Sequence, residues 1–355
     1  MVSQPGAVWS ISHCNRNIQT KRDPNSMSKV LVLGSNSFSG SSFSSYLVKQ
    51  GIDTIGASRS AELDDVYLPY KGKPAKGSFR FEKIDLNHDL DALMTLINKE
   101  RFSTIVNFAA QSMVGQSWDH PEDWMVTNVV SAAKLAEKLR HLDFLDKYVH
   151  VTTPEVYGST DGWITEDQTF SPSTPYAVSR AAGDMTLNIY RDAFDLPVVS
   201  TRAANVYGPG QRLYRIIPRT ILSILTGEKL ELHGGGVSTR SFIHMDDVSP
   251  ATWSIAQNAP VGATYHISTP RIVSIRELVE MICAILGAAF EENVNVAPDR
   301  VGKDNAYWLN SDKIRSELGW TDQISLETGL EHCIGWVKDN LETLSKHPVN
   351  YVHRP

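Results

Sequence analysis

The sequence predicts an α/β protein, a doubly wound parallel sheet with a smaller mixed α/β lobe. Three observations lead there. Up to Asn205, short apolar runs alternate with helix-length amphipathic stretches. The first run ends in a small-residue turn that opens a helix. After Asn205 the alternation yields to short strands and glycine-rich turns. Strands alternating with helices of this length imply parallel βαβ units, with helices on both faces of one sheet.

The strands are predicted at 29–33, 53–57, 79–84, 104–108, 148–152 and 198–202. The first, a short apolar run ending at Gly34, reads as a strand buried on both faces. Helices are predicted at 40–50, stopped by Gly51, and at 89–99, 125–139 and 176–194. In the second, Leu90, Leu93, Leu96 and Ile97 share one face. Further on, helices are expected at 216–226, 274–286 and 311–318, around the turn Gly234-Gly235-Gly236.

Composition narrows the function classes. The chain has 355 residues, 41% hydrophobic and 21% charged, with a net charge of −6. Its Lys and Arg are scattered, so no basic face for nucleic acid is expected. Three distant cysteines (Cys14, Cys283, Cys333) fit neither a disulfide framework nor a zinc site. The eleven histidines show no metal-type pairing, so no metal is expected. No apolar run approaches the ~20 residues of a membrane span. The first residues lack a basic start followed by an apolar stretch, so a cytoplasmic location is expected.

Gly34-Ser35-Asn36-Ser37-Phe38-Ser39-Gly40 joins the first strand to the first helix. Such a turn lets backbone amides approach a pyrophosphate at a helix N-terminus, where the dipole favours anions. Ser37 stands where the usual pattern has a middle glycine. The strand-turn-helix context nevertheless predicts a dinucleotide site. After the second strand comes Ala57-Ser58-Arg59-Ser60, with no acid to bond a ribose 2′-hydroxyl. Arg59 can pair with a 2′-phosphate and Ser58 can hydrogen-bond to it, so NADP is favoured and NAD remains an alternative.

Two segments carry the expected chemistry. Thr152-Thr153-Pro154-Glu155-Val156-Tyr157-Gly158 follows the fifth strand, and Ser173-Thr174-Pro175-Tyr176-Ala177-Val178-Ser179-Arg180 opens a helix. Ligands of open α/β sheets bind beyond the carboxyl ends of strands, which places Thr153 and Glu155 well. Tyr176 and Arg180 are four apart and share a helix face. A cation beside a phenol lowers its pKa, and such a phenol can take an alcohol's proton as hydride leaves the same carbon.

At these residues the chain resembles the extended short-chain dehydrogenase/reductases, with their Rossmann sheet, and most of all the nucleotide-sugar 4,6-dehydratases. Asn107-Phe108-Ala109-Ala110-Gln111-Ser112, Asn128, Asn205-Val206-Tyr207-Gly208-Pro209-Gly210-Gln211, Thr239-Arg240-Ser241-Phe242-Ile243-His244 and Asp299-Arg300-Val301-Gly302-Lys303-Asp304 support the likeness. The resemblance implies that Thr153, Glu155, Tyr176 and Arg180 are catalytic. It implies that Gly34, Asn36, Ser37, Phe38, Gly40, Ser58, Arg59, Asp85, Leu86, Ala109, Ala110, Gln111 and Arg180 hold the cofactor. Ser112, Asn205, Arg240 and Arg300 would bind a nucleotide-diphosphate sugar, and a homodimer is implied. Residues 28–205 would then bind the dinucleotide, with returns near 240–270, and 206–355 mainly the nucleotide sugar. Residues 1–27 are expected to be a disordered or mis-started extension, because Met27 stands just before the first strand.

The sequence departs from the family at two reactive positions. Arg180 replaces the family's Lys, keeping its charge but presenting a planar fork. Pro154 replaces an Asp of the dTDP-glucose type, and Pro carries no proton to give. The alternatives are an epimerase or decarboxylase of the same group, and a cofactor-binding protein without turnover.

Overall fold

The computed structural model describes residues 29–72, 76–298 and 306–354. The expectations for residues 1–27 and for Arg300 lie outside them.

Seven parallel strands form one sheet: β1 Val30–Leu33, β2 Thr54–Ser58, β3 Phe79–Lys83, β4 Thr104–Asn107, β5 Lys147–Val151, β6 Val198–Ala203 and β7 Thr264–Ile267. Their order is β3-β2-β1-β4-β5-β6-β7, so the winding reverses between β1 and β4. Leu33 at the end of β1 pairs with Ala57 on one side and Asn107 on the other. Three strand ends are therefore level, and a crevice opens beyond them at the switch point.

Both faces of the sheet are covered. Val30 and Val32 join Val106, Val149 and Val199 in one apolar layer, with Phe43 and Leu47 of the helix Phe38–Lys49. Leu31 and Leu33 join Ile105, Tyr148 and Val198 in the other, with Leu93 and Ile97 of the helix Leu90–Glu100. Successive strand residues point to opposite faces, so a strand buried twice reads as an unbroken apolar run.

The predicted sheet lacked β7 and the helix Met245–Asn258 that leads to it. Pro250 lies inside that helix and breaks its sequence signature. The helix Leu326–Asp339 was missed too. The helix expected at 125–139 starts earlier, with Pro121 at its first position. It then widens into a π segment, Val126–Val130, before Ser131–Leu139 resumes the α form.

A second apolar cluster lies in the other lobe. Helices Ile216–Thr226, Ile275–Leu286 and Leu326–Asp339 supply Ile221, Leu278, Ile282, Leu330 and Val337 to it. Asn205–Tyr207 continues just past β6 and pairs in parallel with Phe242–His244. That pair leads the chain from the sheet into the lobe.

Candidate active site

The turn after β1 is built for close approach. Gly34 has φ +79, and a Cβ there would lie 2.6 Å from the Ala109 nitrogen. A Cβ on Gly40 would meet the Gly34 carbonyl oxygen at 2.3 Å. Ser37 explains the missing glycine: it is the N-cap of the helix Phe38–Lys49, with φ −70, and its Oγ accepts the Gly40 N–H at 3.0 Å. The position needs a cap, not a positive φ.

A cleft opens over this turn. It is lined by Gly34, Asn36 and Ser37, by Ser58 and Arg59 at the end of β2, by Asp85 and Leu86 after β3, and by Ala109, Ala110 and Gln111 after β4. Ten of the residues expected at the cofactor thus share one wall. Asn36 ties two of these segments together: its N–H donates to Ser58 Oγ at 2.9 Å and its Nδ2 to the Ala61 carbonyl at 2.9 Å. Phe38 and Gly40 do not line the cleft. Phe38 packs against the layer of Val30 and Val32, and Gly40 lies against Gly34. Both shape the turn from behind.

Ser60, Leu63, Asn87, Thr127 and Arg212 line the cleft and were not foreseen. Arg212 comes from the second lobe, directly after the quoted Asn205–Gln211 stretch, which was the available signal. Its guanidinium lies 4.4 Å over the Tyr67 ring.

The residues present fit a dinucleotide. Leu33, Ala57, Ile84 and Leu86 offer apolar walls, the Ser37–Gly40 amides open a helix, and Asn36 Oδ1 is buried without a protein partner.

Thr153, Glu155 and Tyr176 meet at the end of β5. Thr153 caps a single 3-10 turn, Pro154–Tyr157, and its Oγ1 accepts the Glu155 N–H at 3.3 Å. Pro154 occupies the first position of that turn, where a missing N–H costs nothing. Thr174 caps the helix Pro175–Phe194 and accepts the Ala177 N–H at 3.1 Å, so Tyr176 lies in the first turn. The phenol hydrogen-bonds with the Thr153 side chain.

Burial pushes the Tyr176 phenol above its ordinary 10.0. The Arg180 charge pulls it down, Glu155 pushes it up, and the Thr153 bond and Arg215 pull it down; burial prevails. The expectation that the guanidinium alone leaves this phenol lowered is therefore corrected. Desolvating a phenolate outweighs one neighbouring cation here.

Arg180 is buried, 4% exposed, beneath Tyr176. Its Nη2 donates to the Val151 carbonyl at the end of β5, and its Nε has no protein partner. It does not line the cleft wall described above.

Of the residues expected at the sugar nucleotide, Asn205 and Arg240 come together. Arg240 stacks 4.7 Å over the Tyr307 ring, and the Tyr307 hydroxyl donates to Asn205 Oδ1 at 3.0 Å. Tyr307 was not foreseen, although it follows closely on the quoted Asp299–Asp304 stretch. Ser112 is exposed just beyond Gln111.

A family model described as GDP-mannose 4,6 dehydratase matches residues 31–333. The low-salt glycan biosynthesis protein Agl12 of Haloferax volcanii is 32% identical over 311 residues, covering 86% of this chain and 97% of its own. A trifunctional UDP-glucose 4,6-dehydratase/UDP-4-keto-6-deoxy-D-glucose 3,5-epimerase/UDP-4-keto-L-rhamnose-reductase of Arabidopsis thaliana is 30% identical over 75% of this chain. The chain spans 40% of that protein's length. The solved structure of DesIV, a dTDP-glucose 4,6-dehydratase from Streptomyces venezuelae with NAD and TYD bound, matches with a TM-score of 0.80 at 30% identity. It covers 89% of this chain and 98% of its own. By the extent of these matches the chain belongs to the GDP-mannose 4,6-dehydratase family, within the extended short-chain dehydrogenase/reductases.

Proposed function

We propose that this protein is a nucleotide-sugar 4,6-dehydratase that forms a 4-keto-6-deoxy sugar nucleotide. The observation that carries the reading is the meeting of Thr153, Glu155 and Tyr176 at one strand end, with the phenol bonded to Thr153 and under the Glu155 charge. A lone alcohol oxidation needs the first and third of these; a base for a carbon acid is the added requirement of dehydration.

Tyr176 takes the C4 hydroxyl proton while Thr153 holds that oxygen. Gly34, Asn36, Ser37 and Gln111 of the cleft would hold an oxidised nicotinamide dinucleotide, which when bound would supply the acceptor for the C4 hydride and its donor to C6. The C4 ketone acidifies the C5 hydrogen, which Glu155 removes. Pro154 has no proton to give, so Glu155 passes the C5 proton to the departing C6 hydroxyl, and water leaves. C5 then takes up a proton, which balances the one lost from the C4 hydroxyl. Arg180 keeps a positive charge beneath Tyr176 and stabilises its ionised form.

Asn205, Arg240 and Tyr307 suit the nucleotide diphosphate, with Arg240 as its cation. Residues 28–205, with the return near 240–270, bind the dinucleotide, and 206–355 mainly the nucleotide sugar. The cleft has Ser58, Arg59 and Ser60 at the end of β2 and no carboxylate there, which favours NADP. DesIV holds NAD, so both dinucleotides belong in the test. Exposed Val178, Met185 and Ile189 recur along the helix Pro175–Phe194, beside exposed Val126 and Val130. Such a stripe supports a homodimer through these elements. Among the described residues, no helix is long and apolar enough to cross a membrane. Cys283 and Cys333 are free, which suits the cytoplasm.

The test incubates the protein with a panel of nucleotide-diphosphate hexoses and NAD or NADP, reading products by mass. Loss of one water with a 4-keto chromophore in alkali is expected. A product of unchanged mass identifies an epimerase, loss of carbon dioxide a decarboxylase, and dinucleotide binding with no turnover a binding protein. Glu155→Gln should still oxidise C4 yet release no water. If that variant made the 6-deoxy product at the normal rate, Glu155 would be removed from the mechanism.

A further inference from the structure

The last described residues, 349–354, run from the second lobe back to the sheet. On the lobe, Arg219 Nη1 donates to the Val349 carbonyl at 3.3 Å and to Asn350 Oδ1 at 3.1 Å. The Tyr351 ring meets Tyr214 edge-on at 5.3 Å. On the sheet side, His353 Nε2 donates to Asp123 Oδ2 at 2.6 Å. Its ring lies nearly parallel to Trp124, at 4.9 Å and 16°, and to His120, at 5.1 Å and 10°. The Arg354 carbonyl then accepts Gln111 Nε2 at 2.7 Å.

Gln111 lines the dinucleotide cleft and is only 4% exposed. Asn128 holds its backbone, so Arg354 supplies the bond that fixes its side chain. Two cations of the cleft wall lie within electrostatic range of the tail. The charge of Arg354 bears on Arg212, and that of Arg59 bears on Tyr351. Guanidinium groups crowded at one mouth repel each other until an anion comes between them. A diphosphate in the cleft would supply that anion.

We propose that residues 349–354 form a strap that closes over the dinucleotide cleft, with His353 as the positioning residue that seats it. The strap rests on the reading of that cleft as the dinucleotide site. Seated, it fixes Gln111 in the cleft floor and slows exchange of the cofactor. A bound dinucleotide in turn tightens the seat through Arg212 and Arg354.

The test compares the full chain with a chain ending at Pro348 and with His353→Ala, each checked for folding by circular dichroism. His353→Ala removes one part-buried anchor and serves as the test if the shorter chain does not fold. Dissociation of NADH and NADPH is followed by stopped-flow fluorescence, and the tail by carboxypeptidase digestion and intact mass. Both variants should release the dinucleotide about tenfold faster, the scale of one charge-assisted hydrogen bond. In the full chain, added NAD or NADP should protect the tail from digestion. Equal release rates in all three chains, with an unprotected tail, would overturn the strap while leaving the cleft reading intact. If no chain binds either dinucleotide, the cleft reading fails and the strap falls with it.

Discussion

Asn128 and the backbone of Gln111 close a two-bond ring. The Gln111 N–H donates to Asn128 Oδ1 at 2.9 Å, and Asn128 Nδ2 donates to the Gln111 carbonyl at 2.9 Å. Asn128 Nδ2 also donates to Ser179 Oγ at 2.9 Å, and Ser179 Oγ donates to the Tyr176 carbonyl at 2.7 Å. One buried amide thus links the floor of the dinucleotide cleft to the first turn that carries Tyr176. It stands on the π segment Val126–Val130, a widened turn of the kind found at functional sites.

Asn128→Leu keeps the size of that side chain and removes its three bonds to Gln111 and Ser179. It leaves a buried N–H and C=O of Gln111 without their partner, at a cost of about 2–4 kcal/mol. Urea unfolding should show the midpoint falling with an unchanged slope. A midpoint equal to that of the parent would mean the ring contributes nothing.

Tyr176→Phe should lower kcat by about 10²–10⁴-fold and leave dinucleotide affinity unchanged. Because burial holds the phenol above 10.0, its base form grows as pH rises. The parent's kcat/KM should therefore climb from about pH 6 to pH 9, as a base above its working pH requires. A flat profile across that range would contradict Tyr176 as the proton acceptor.

Asp184 lies two turns along the same helix, 3% exposed, and donates no proton: it accepts Arg202 Nη2 at 2.7 Å. Burial pushes its carboxyl up, but His150, Arg202 and Arg180 outweigh burial and hold it at about 2, against an ordinary 3.8. A depressed carboxyl stabilises the fold above its unfolded value and loses that contribution as pH falls through its folded one. Thermal unfolding should therefore show about 2 kcal/mol of stability disappearing between pH 4 and pH 2. Asp184→Asn should cost about 3–5 kcal/mol at neutral pH, because Arg202 stays buried without its counterion. The same variant should also lose the acid-sensitive step, and retention of that step would assign it to another carboxylate.

Arg59→Asp places a carboxylate after β2, where it repels a 2′-phosphate and can bond a 2′-hydroxyl. The KM for NADP should rise about tenfold or more, and that for NAD should fall. Initial rates with each dinucleotide measure this. Equal KM values for NADP in parent and variant would remove Arg59 from cofactor choice.

The sequence alone determined the strands of the sheet up to β6: β1, buried on both faces, leaves an unbroken apolar run, while the edge strand β3 shows only as Phe79 and Phe81 alternating with charge. It determined the cleft's local parts too: Gly34 and Gly40 in the turn after β1, and Tyr176 at the opening of a helix, are short-range consequences of neighbouring residues. What it did not carry was contact between distant segments. Arg212, Tyr307, Thr127 and the tail at His353 reach the site by crossing from other parts of the chain, and no spacing near them records where they land. The protonation of Tyr176 was decided in the same way. Arg180 is visible four residues on, but the desolvation that overrides it comes from everything packed around the phenol, which exists only once the chain has folded.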